Sequence, residues 1–359
     1  MKLAIVGIRG LPNTYGGFET LADYLVKYLA TELEITVFCS SVDMKSNSTT
    51  YMGANLEYIS ISSHGFKGII YDNFALLKSI NKFDKILLLG FGGGLLMPFF
   101  GINKRKIIVN IGGLDWKRDK WGLIGKTIIK SFEKLLLKNA GLIVSDNLMI
   151  KKYIKETYNR DSSLIAYGGD QSQQIEINPE SIKTYPFLKN PYALSVARIQ
   201  SDNQIVLLLE TFKRYGKKHF VLVGNFKDSS FGIDILEKYK NIENISLVEA
   251  IYNRDILDMI RSNCDYYVHA HSAGGTNPAL VEAMHLSLPI FAYANGYNEH
   301  TTGNLALYFK KQEDLIKLIE QENELDLKIM GESLYKKAIS DYCWSDITEK
   351  YKKLFLDEG

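Results

Sequence analysis

The chain has 359 residues, of which 46 % are hydrophobic and 23 % are charged, the composition of a soluble globular protein with about two domains. This composition excludes a disordered, collagen-like or coiled-coil chain. The three cysteines, Cys39, Cys264 and Cys343, lie far apart and form no C-x-x-C pair, so neither a disulfide framework nor a zinc knuckle is expected.

Short apolar runs rich in β-branched residues alternate with longer amphipathic segments in the first half. Helical patterns lie at Phe18–Ala30 and Asn73–Ile80. This alternation predicts βαβ units and a parallel sheet with helices on both faces. The predicted strands are Leu3–Val6, Ile35–Cys39, Leu56–Ser60, Lys85–Leu89, Ile107–Asn110, Leu142–Ser145 and Ser163–Ile165.

The second half repeats the alternation, with helices predicted at Gln204–Tyr215 and Asn277–His285. Residues 171–190 are polar, contain two prolines and have the composition of a linker. We therefore predict an α/β protein with two Rossmann-like domains, 1–180 and 190–340, facing a central cleft. A C-terminal helix in 341–359 is expected to pack back toward the first domain. The predicted strands of the second half are Tyr192–Val196, Phe220–Val223, Ile245–Leu247, Tyr266–Val268 and Pro289–Ala292.

Positive charge is concentrated in the N-terminal half. The net charge is +2, but residues 1–170 contain 22 Lys and Arg against 15 Asp and Glu, whereas residues 171–359 contain 21 against 26. A basic half is typical of a protein that meets an anionic surface, such as nucleic acid, phosphates or the inner leaflet of a membrane. Chance variation between the halves is the alternative.

The N-terminus reads as a strand that runs into a glycine turn at Gly7, without the apolar segment of about 7–15 residues that a signal peptide has. The longest uncharged run, 86–102, contains five glycines and a proline and is shorter than the roughly 20 apolar residues that span a bilayer. We expect a cytoplasmic protein, with a peripheral location on the inner face of the plasma membrane left open.

The first motif, 7–20, is a glycine-rich loop that enters a helix. Backbone N–H groups and the helix dipole make such a loop a phosphate site, which we assign to Gly16 and Gly17. A nicotinamide dinucleotide site would need a glycine where Arg9 stands, and an acidic residue after the second strand, which is also missing. A tight turn without a ligand is the alternative.

The second motif, 110–121, combines glycines, a carboxylate, basic residues and two tryptophans. Trp116, Lys117 and Arg118 are candidates for a surface that stacks on a sugar or base, and Asp115 is a candidate to accept a hydroxyl proton. A helix N-terminus with a solvated charge cluster is the alternative. In the following helix, four lysines share one face, which fits a membrane-surface helix or an ordinary surface helix: Lys126, Lys130, Lys134 and Lys138.

The third motif places Arg198 after a strand, where its planar fork matches two phosphate oxygens; a structural arginine is the alternative.

The fourth motif, 269–284, has a glycine loop in front of a helix that starts with a proline. Glu282 in this helix is placed to bind a pair of ribose hydroxyls. Three residues cluster at the helix N-terminus as phosphate or hydroxyl binders: Gly275, Thr276 and Asn277.

Metal binding is not expected. His269 and His271 lie two residues apart, but no third ligand has a suitable spacing. No Asp-x-Asp occurs in the chain, so the paired carboxylates that hold a diphosphate through Mg²⁺ or Mn²⁺ are missing. A diphosphate would be neutralised by Arg198, N–H groups and helix dipoles, and we expect no cofactor.

These motifs resemble family 4 of the retaining glycosyltransferases, through Gly16-Gly17, Arg198 and Glu282. The likeness runs over nearly the whole chain, and Gly-Gly-Thr-Asn-Pro before Glu282 is fairly specific. Four stretches are similar to the bacterial rhamnosyltransferase subgroup, whose members work in capsule and other cell-surface polysaccharide assembly: 6–20, 112–121, 197–205 and 274–284.

The resemblance implies the GT-B fold, with an acceptor domain at 1–180 and a nucleotide-sugar domain at 190–340. It implies retaining transfer of a sugar, with rhamnose from a dTDP or UDP donor as the best candidate, to a lipid-diphosphate-linked or saccharide acceptor, and no nucleic-acid partner. Arg198 would bind the diphosphate and Glu282 the ribose, with Gly16 and Gly17 beside the donor phosphates. Arg198 and Asp115 would be the catalytic candidates, and Trp116, Lys117 and Arg118 would contact the acceptor.

The chain departs from the family pattern at three places. The first motif glutamate falls at Gly274, the usual lysine falls at Asn203, which we keep in the donor site, and the Asp-Gly of the subgroup appears as Gly112-Gly113. Two alternatives therefore stay open. One is a sugar-nucleotide epimerase, which needs no lipid acceptor, and the other is a glycosyltransferase homologue that binds a sugar nucleotide without turnover.

Overall fold

The computed structural model describes residues 1–13, 16–45, 48–114, 116 and 122–357. The chain divides into two compact units. Unit 1 comprises Met1–Tyr167 and Trp344–Gly359, and unit 2 comprises Gly168–Cys343.

The described residues of unit 1 form an eight-stranded sheet in the order β3-β4-β2-β1-β5-β6-β7-β8. All its pairs are parallel except β3 with β4. The described residues of unit 2 form a six-stranded sheet, all parallel, in the order β11-β10-β9-β12-β13-β14. The strands are Lys2–Val6 (β1), Glu34–Ser40 (β2), Thr50–Tyr51 (β3), Ala54–Ile59 (β4), Lys85–Leu89 (β5), Ile107–Asn110 (β6), Leu142–Ser145 (β7), Ser163–Leu164 (β8), Tyr192–Val196 (β9), His219–Gly224 (β10), Ile245–Glu249 (β11), Tyr266–His269 (β12), Ile290–Tyr293 (β13) and Leu307–Phe309 (β14).

Helices connect the strands, as the predicted βαβ alternation requires. Short 3₁₀ segments at Gly92–Leu95 and Met97–Lys106 follow β5. The helices are Gly17–Leu29 (α1), Gly65–Ser79 (α2), Leu123–Asn139 (α3), Leu148–Tyr158 (α4), Pro179–Thr184 (α5), Ile205–Tyr215 (α6), Ser230–Tyr239 (α7), Arg254–Ser262 (α8), Pro278–His285 (α9), Tyr297–Thr302 (α10), Gln312–Glu320 (α11), Leu327–Asp341 (α12) and Trp344–Leu356 (α13).

Helix α13 lies in unit 1. Trp344 at its start stacks on Tyr24 of α1, with ring centroids 4.3 Å apart. Further along, the hydroxyl of Tyr351 accepts a hydrogen bond of 2.8 Å from Asn110 Nδ2 at the end of β6. Both aromatic side chains are buried, so the C-terminal helix is part of the unit 1 core.

Residues 171–190, interpreted above as a linker, lie inside unit 2. Their polar groups bond to its helices: Gln173 N–H donates to Asp258 Oδ2 (3.1 Å), and Gln174 Nε2 donates to the Leu286 carbonyl (2.7 Å). The polar composition therefore reflects hydrogen bonding along the surface of unit 2.

The predicted parallel α/β architecture is confirmed, with small differences. Strands β3 and β14 have two and three residues, too short to give a periodic signal. None of the three cysteines forms a disulfide. Among the described residues, no helix has both the length and the apolar character to cross a bilayer.

Candidate active site

The candidate site of unit 2 is built by the loops that follow β9 and β12. Strand β9 pairs with β10 on one side and β12 on the other. The chain leaves β9 toward β10 and β11 and returns on the opposite side with β12, so the two loops diverge at a topological switch point. Ligands of open α/β sheets bind at this position, at the carboxyl ends of the strands.

Hydrogen bonds fasten the two loops together. The N–H and the hydroxyl of Ser272 both donate to the Asp202 carbonyl, at 3.0 and 2.6 Å. Asn203 Nδ2 donates to the Arg198 carbonyl (2.7 Å), and Asn203 Oδ1 bonds to His271 Nδ1. Asn203 is buried, and both ends of its amide are used, so it organises the loops and places His271.

This network fixes the tautomer of His271. Asn203 must present its nitrogen to the Arg198 carbonyl, so its oxygen faces His271 and accepts the proton of Nδ1. In the neutral ring, Nε2 is then an acceptor. The carbonyl of His271 also accepts hydrogen bonds from Asn295 and Asn298, which holds its backbone.

Gly274 lies directly beside this imidazole. Its φ of +132° is in the region that side-chain-bearing residues rarely adopt, and a Cβ there would approach His271 Nε2 to 2.8 Å. Neither the backbone nor the available space admits the glutamate that the family resemblance places here. His271 occupies the space that a side chain at position 274 would need.

Arg198 follows β9 and is exposed. Its carbonyl accepts hydrogen bonds from the N–H of Gln200 (2.9 Å) and from Asn203. The backbone that carries the guanidinium is therefore fixed at the carboxyl end of the central strand.

The residues at the start of α9 have separate roles. Asn277 caps the helix, because its Oδ1 accepts a 3.0 Å hydrogen bond from the N–H of Ala279, and Pro278 takes the first helical position. Thr276 is buried and Gly275 is half-buried. The side-chain oxygen of Asn277, which was predicted to bind a ligand, thus already accepts a hydrogen bond within the helix.

Glu282 is held on both sides. Its Oε2 lies 2.6 Å from the Arg261 guanidinium, and its Oε1 accepts a 2.7 Å hydrogen bond from Gln171 Nε2. Arg261 also contacts Asp258 at 3.3 Å. The side chain of Arg261 is 5 % exposed and that of Glu282 is 18 % exposed. A carboxylate oxygen accepts two hydrogen bonds, so a fixed, partly accessible Glu282 retains capacity for a hydroxyl ligand.

The charges of this cluster depend on one another. Burial alone would lower the pKa of Arg261, but Glu282, followed by Tyr267 and Asp258, raises the pKa above its usual value. Burial raises the pKa of Asp258, and the nearby Arg261 opposes that shift. Arg261 is therefore a permanent cation whose main counter-charge is Glu282.

His269, at the end of β12, is neutral at physiological pH. It is 3 % exposed, and burial lowers the pKa of the imidazole to about 3. Its Nε2 is buried and has no hydrogen-bond partner. His269 is thus a core residue under the site.

In unit 1, Gly16 is the N-cap of α1, with a φ of +120°. A side chain would be strained at this φ, and a Cβ would lie 2.1 Å from Glu19 Oε2, so the carboxylate of Glu19 would have to move. Glu19 Oε1 accepts a hydrogen bond from the N–H of Arg9 (3.2 Å). A carboxylate therefore already lies at the start of this helix, and the phosphate role of Gly16 and Gly17 stays a prediction.

The second motif is described only in part. Asp115, Lys117 and Arg118 lie outside the described residues. Trp116 packs near Tyr153 of α4, with centroids 6.3 Å apart, and Lys130 Nζ lies 4.5 Å from its ring centroid. The indole is half-buried and takes part in packing, while its acceptor role stays a prediction.

The described residues include one group of metal-ligand types, Asp170, His285 and Cys343, whose ligand atoms lie within 4.8 Å of one another. His285 Nε2 donates to the Tyr342 carbonyl (3.0 Å), and Cys343 Sγ donates to the Ile339 carbonyl (3.3 Å). The absence of a metal from the reaction stays a prediction.

Three residues of the site were not predicted from the sequence as ligand or positioning residues. His271 was visible in the fourth motif but was considered only as a metal ligand. Arg261 and Gln171 lie on other elements than Glu282, and Gln171 is separated from it by 111 positions. No local pattern connects these residues.

Comparison with known proteins agrees with this architecture. Residues 1–170 match a domain of unknown function (DUF1972), and residues 178–337 match the family glycosyl transferases group 1. No curated protein sequence matches the chain.

Solved structures resemble the whole chain. A sucrose-phosphate synthase from Thermosynechococcus elongatus shares 15 % identity with a TM-score of 0.81, covering 99 % of this chain and 98 % of its own. Anabaena Alr3699/HepE in complex with UDP-glucose shares 12 % identity with a TM-score of 0.75, covering 99 % of both chains. An E. coli protein described as trehalose-6-phosphate bound with UDP-2-fluoro glucose shares 9 % identity with a TM-score of 0.73, covering 99 % of both chains.

At these identities the likeness establishes the fold. The chain has the GT-B fold of two parallel-sheet α/β domains, and the match to the glycosyl transferases group 1 family is limited to residues 178–337.

Proposed function

We propose that the chain is a metal-independent, retaining glycosyltransferase that moves a sugar from a nucleotide-diphosphate donor to a lipid-diphosphate-linked or saccharide acceptor. One observation carries the proposal: at the switch point of unit 2, an exposed Arg198 and a fixed Glu282 accompany two loops joined through Asn203 and His271. Solved structures of the same fold contain UDP-glucose or UDP-2-fluoro glucose, which supports a nucleotide-sugar donor.

Each residue in this site has a chemical task. The Arg198 guanidinium pairs with diphosphate oxygens and stabilises the negative charge that grows as the sugar leaves. Glu282 accepts hydrogen bonds from the ribose hydroxyls, while Arg261 and Gln171 hold its carboxylate in place. In its neutral form, His271 accepts a hydrogen bond at Nε2 from a donor hydroxyl on the side where position 274 has no side chain.

Retention is proposed without a protein nucleophile. The leaving diphosphate takes the proton of the acceptor hydroxyl on the face where the new bond forms. Catalysis then consists of positioning and charge stabilisation. Rhamnose as the sugar, dTDP or UDP as the nucleotide, and capsule or exopolysaccharide synthesis as the setting rest on the similarity of four sequence stretches to the rhamnosyltransferase subgroup.

Replacement of Arg198 by alanine tests the proposal. One lost charge-assisted contact to the leaving group is worth about 2.7–4 kcal/mol, so the transfer rate should fall by roughly 10²–10³. Arg214→Ala is the matched control, because Arg214 is also an exposed arginine of unit 2 and pairs with the exposed Glu313 at 3.4 Å. Wild-type transfer by Arg198→Ala would remove this residue from the mechanism.

A non-catalytic donor-binding protein is the second candidate, and Gly274 and Asn203 are the residues that favour it. In the structure both are part of one arrangement, in which Asn203 orients His271 and His271 lies against Gly274. Donor binding without transfer or hydrolysis would favour the non-catalytic protein. Transfer that is lost in His271→Ala and retained in Asn295→Ala, which alters a backbone contact of the same loop, would favour the enzyme.

A further inference from the structure

Helix α2 of unit 1 has an apolar stripe on its outer side. Phe66, Ile70, Phe74 and Leu77 recur at helical spacing and are 43–60 % exposed. The opposite side of the helix is buried in unit 1 and includes Tyr71, Ala75 and Leu76. A helix with one apolar side in the core normally has a polar outer side, so this outer stripe is unusual.

The stripe continues onto neighbouring segments. Asn73 of α2 donates to the Gly92 carbonyl (2.8 Å) and accepts from the N–H of Leu96 (3.1 Å), which joins α2 to the 3₁₀ segments. Gly94 lies against the backbone of Phe132 in α3, which joins the same segments to α3. These neighbours contribute five more large apolar residues, 46–85 % exposed: Leu95, Phe99, Ile102, Leu123 and Ile124.

We call these nine residues the outer apolar face. They are nine of the 21 large hydrophobic residues that are exposed among those described, and all lie between positions 66 and 124. Single exposed apolar residues are ordinary, but an exposed apolar cluster on joined elements marks a binding surface.

The segment of the chain that contains these elements is strongly basic. Residues 65–139 contain 14 Lys and Arg against 5 Asp and Glu, in a chain whose net charge is +2. Glu133 is buried and accepts hydrogen bonds from the Tyr153 and Tyr158 hydroxyls (2.6 and 2.8 Å). Burial raises the pKa of Asp72 to about 8, which makes its carboxyl mostly neutral at pH 7. Among the described residues of this region, six basic side chains are exposed: Lys67, Lys82, Arg105, Lys130, Lys134 and Lys138.

We propose that the outer apolar face docks on an anionic lipid bilayer. Its apolar side chains lie in the headgroup–acyl boundary, and the exposed lysines and arginine of the same region contact lipid phosphates. Apolar residues surrounded by basic ones are the pattern of interfacial binding, in which buried apolar area and attraction to anionic lipid add together. A second copy of the chain is a poorer occupant, because pairing two such faces would bring their basic residues together. Nucleic acid is also poorer, since its phosphates would not use the exposed Phe99 or Leu123.

This surface belongs to unit 1 alone and is independent of sugar transfer. It differs from the membrane-surface helix that the spacing of four lysines in α3 suggested, because the apolar contact comes from α2 and the 3₁₀ segments as well as from the start of α3. The proposal therefore holds or fails separately from the donor site.

Vesicle flotation tests the apolar part. Wild-type protein is mixed with phosphatidylcholine vesicles that contain no phosphatidylglycerol or 30 mol % of it, an amount of anionic lipid of about the order that gives a strongly negative surface. The proposal predicts binding to the anionic vesicles, weakened by salt. Phe99→Ser/Ile102→Ser/Leu123→Ser should lower the partition coefficient at least tenfold. The matched control, Val206→Ser/Ile233→Ser/Ile329→Ser, removes three exposed apolar residues of unit 2 and should stay within twofold of wild type.

Two double variants with the same change in net charge test the electrostatic part. Each basic residue near an anionic membrane contributes about fivefold in binding, so Lys67→Gln/Lys134→Gln should weaken binding roughly 25-fold. Lys217→Gln/Lys328→Gln has the same net charge change at exposed positions of unit 2 and should bind like wild type.

Three results would overturn the proposal. Equal binding to neutral and anionic vesicles, or unchanged binding by the serine triple variant, would remove the bilayer as the occupant. A wild-type dimer in light scattering that the serine triple variant converts to a monomer, with vesicle binding unchanged, would assign the face to a second copy of the chain.

Discussion

Replacing Glu282 by alanine should destabilise unit 2 in the absence of any ligand. The substitution removes the main counter-charge of Arg261, whose side chain is 5 % exposed and whose remaining acidic contact is Asp258 at 3.3 Å. Breaking a buried ion pair from one side costs about 3–5 kcal/mol. Because Asp258 stays in place and Glu282 is itself partly accessible, we expect a loss of about 3 kcal/mol in the free energy of unfolding of unit 2.

Hydrogen exchange measured by mass spectrometry suits this test, because the three tryptophans, at positions 116, 121 and 344, all belong to unit 1 and do not report on unit 2. Peptides from α8, α9 and β12 should lose about 3 kcal/mol of opening free energy in Glu282→Ala. Peptides from β1 and β5 should be unchanged.

Two further variants define the origin of the effect. Glu313→Ala removes a glutamate from the exposed pair with Arg214 and should cost at most about 1 kcal/mol. The double variant Glu282→Ala/Arg261→Met should recover part of the loss, because the uncompensated cation is gone. Unchanged exchange in unit 2 of Glu282→Ala would show that the Arg261 pair contributes nothing to stability, and would refute the reasoning.

The remaining predictions concern three other positions. Acidification should destabilise unit 2 through His269. The imidazole of the unfolded chain takes up a proton below its ordinary pKa of 6.5, whereas the buried imidazole of the folded chain stays neutral down to a pKa of about 3. At pH 5 the loss of stability is about 2 kcal/mol, and in His269→Gln the stability of unit 2 should change less between pH 7 and pH 5. Gly274→Ala forces a side chain into a positive-φ position against His271, at a cost of about 1–3 kcal/mol, so calorimetry should show a lower Tm and donor titration a higher Kd; retention of both would contradict the assigned geometry. Tyr351→Phe leaves the buried Asn110 amide without its 2.8 Å partner, and urea unfolding followed by tryptophan fluorescence should show unit 1 destabilised by about 1–3 kcal/mol.

The sheets could be predicted from the sequence because their strands are short apolar runs separated by glycine turns. Strands β1, β5 and β9 are buried along nearly all of their length, as parallel strands covered on both faces are. The start of α2 was missed, since two glycines and the outward-facing Phe66 and Ile70 interrupt the helical pattern.

The site was predictable to the level of its loops. Arg198 and Glu282 follow the strands β9 and β12, whose carboxyl ends meet at the switch point. The spacing of strands and helices along the sequence is enough to predict this topology. The pairing of Glu282 with Arg261 and Gln171 is set by tertiary packing between distant segments. For the same reason the sequence could not show that Asn203 and Gly274, which looked like two separate departures from the family pattern, both adjoin His271.

Donor binding without metal tests the central claim most directly. The protein is titrated with UDP-, dTDP- and GDP-sugars in the presence and absence of EDTA, and thermal stabilisation is recorded for wild type, Arg198→Ala and Arg214→Ala. Ligand at a hundredfold excess over its Kd stabilises the folded state by about 2.7 kcal/mol. We predict that one nucleotide sugar stabilises wild type and Arg214→Ala equally with and without EDTA, and stabilises Arg198→Ala less. Absence of stabilisation by every sugar nucleotide, or stabilisation that EDTA abolishes, would contradict the metal-independent donor site.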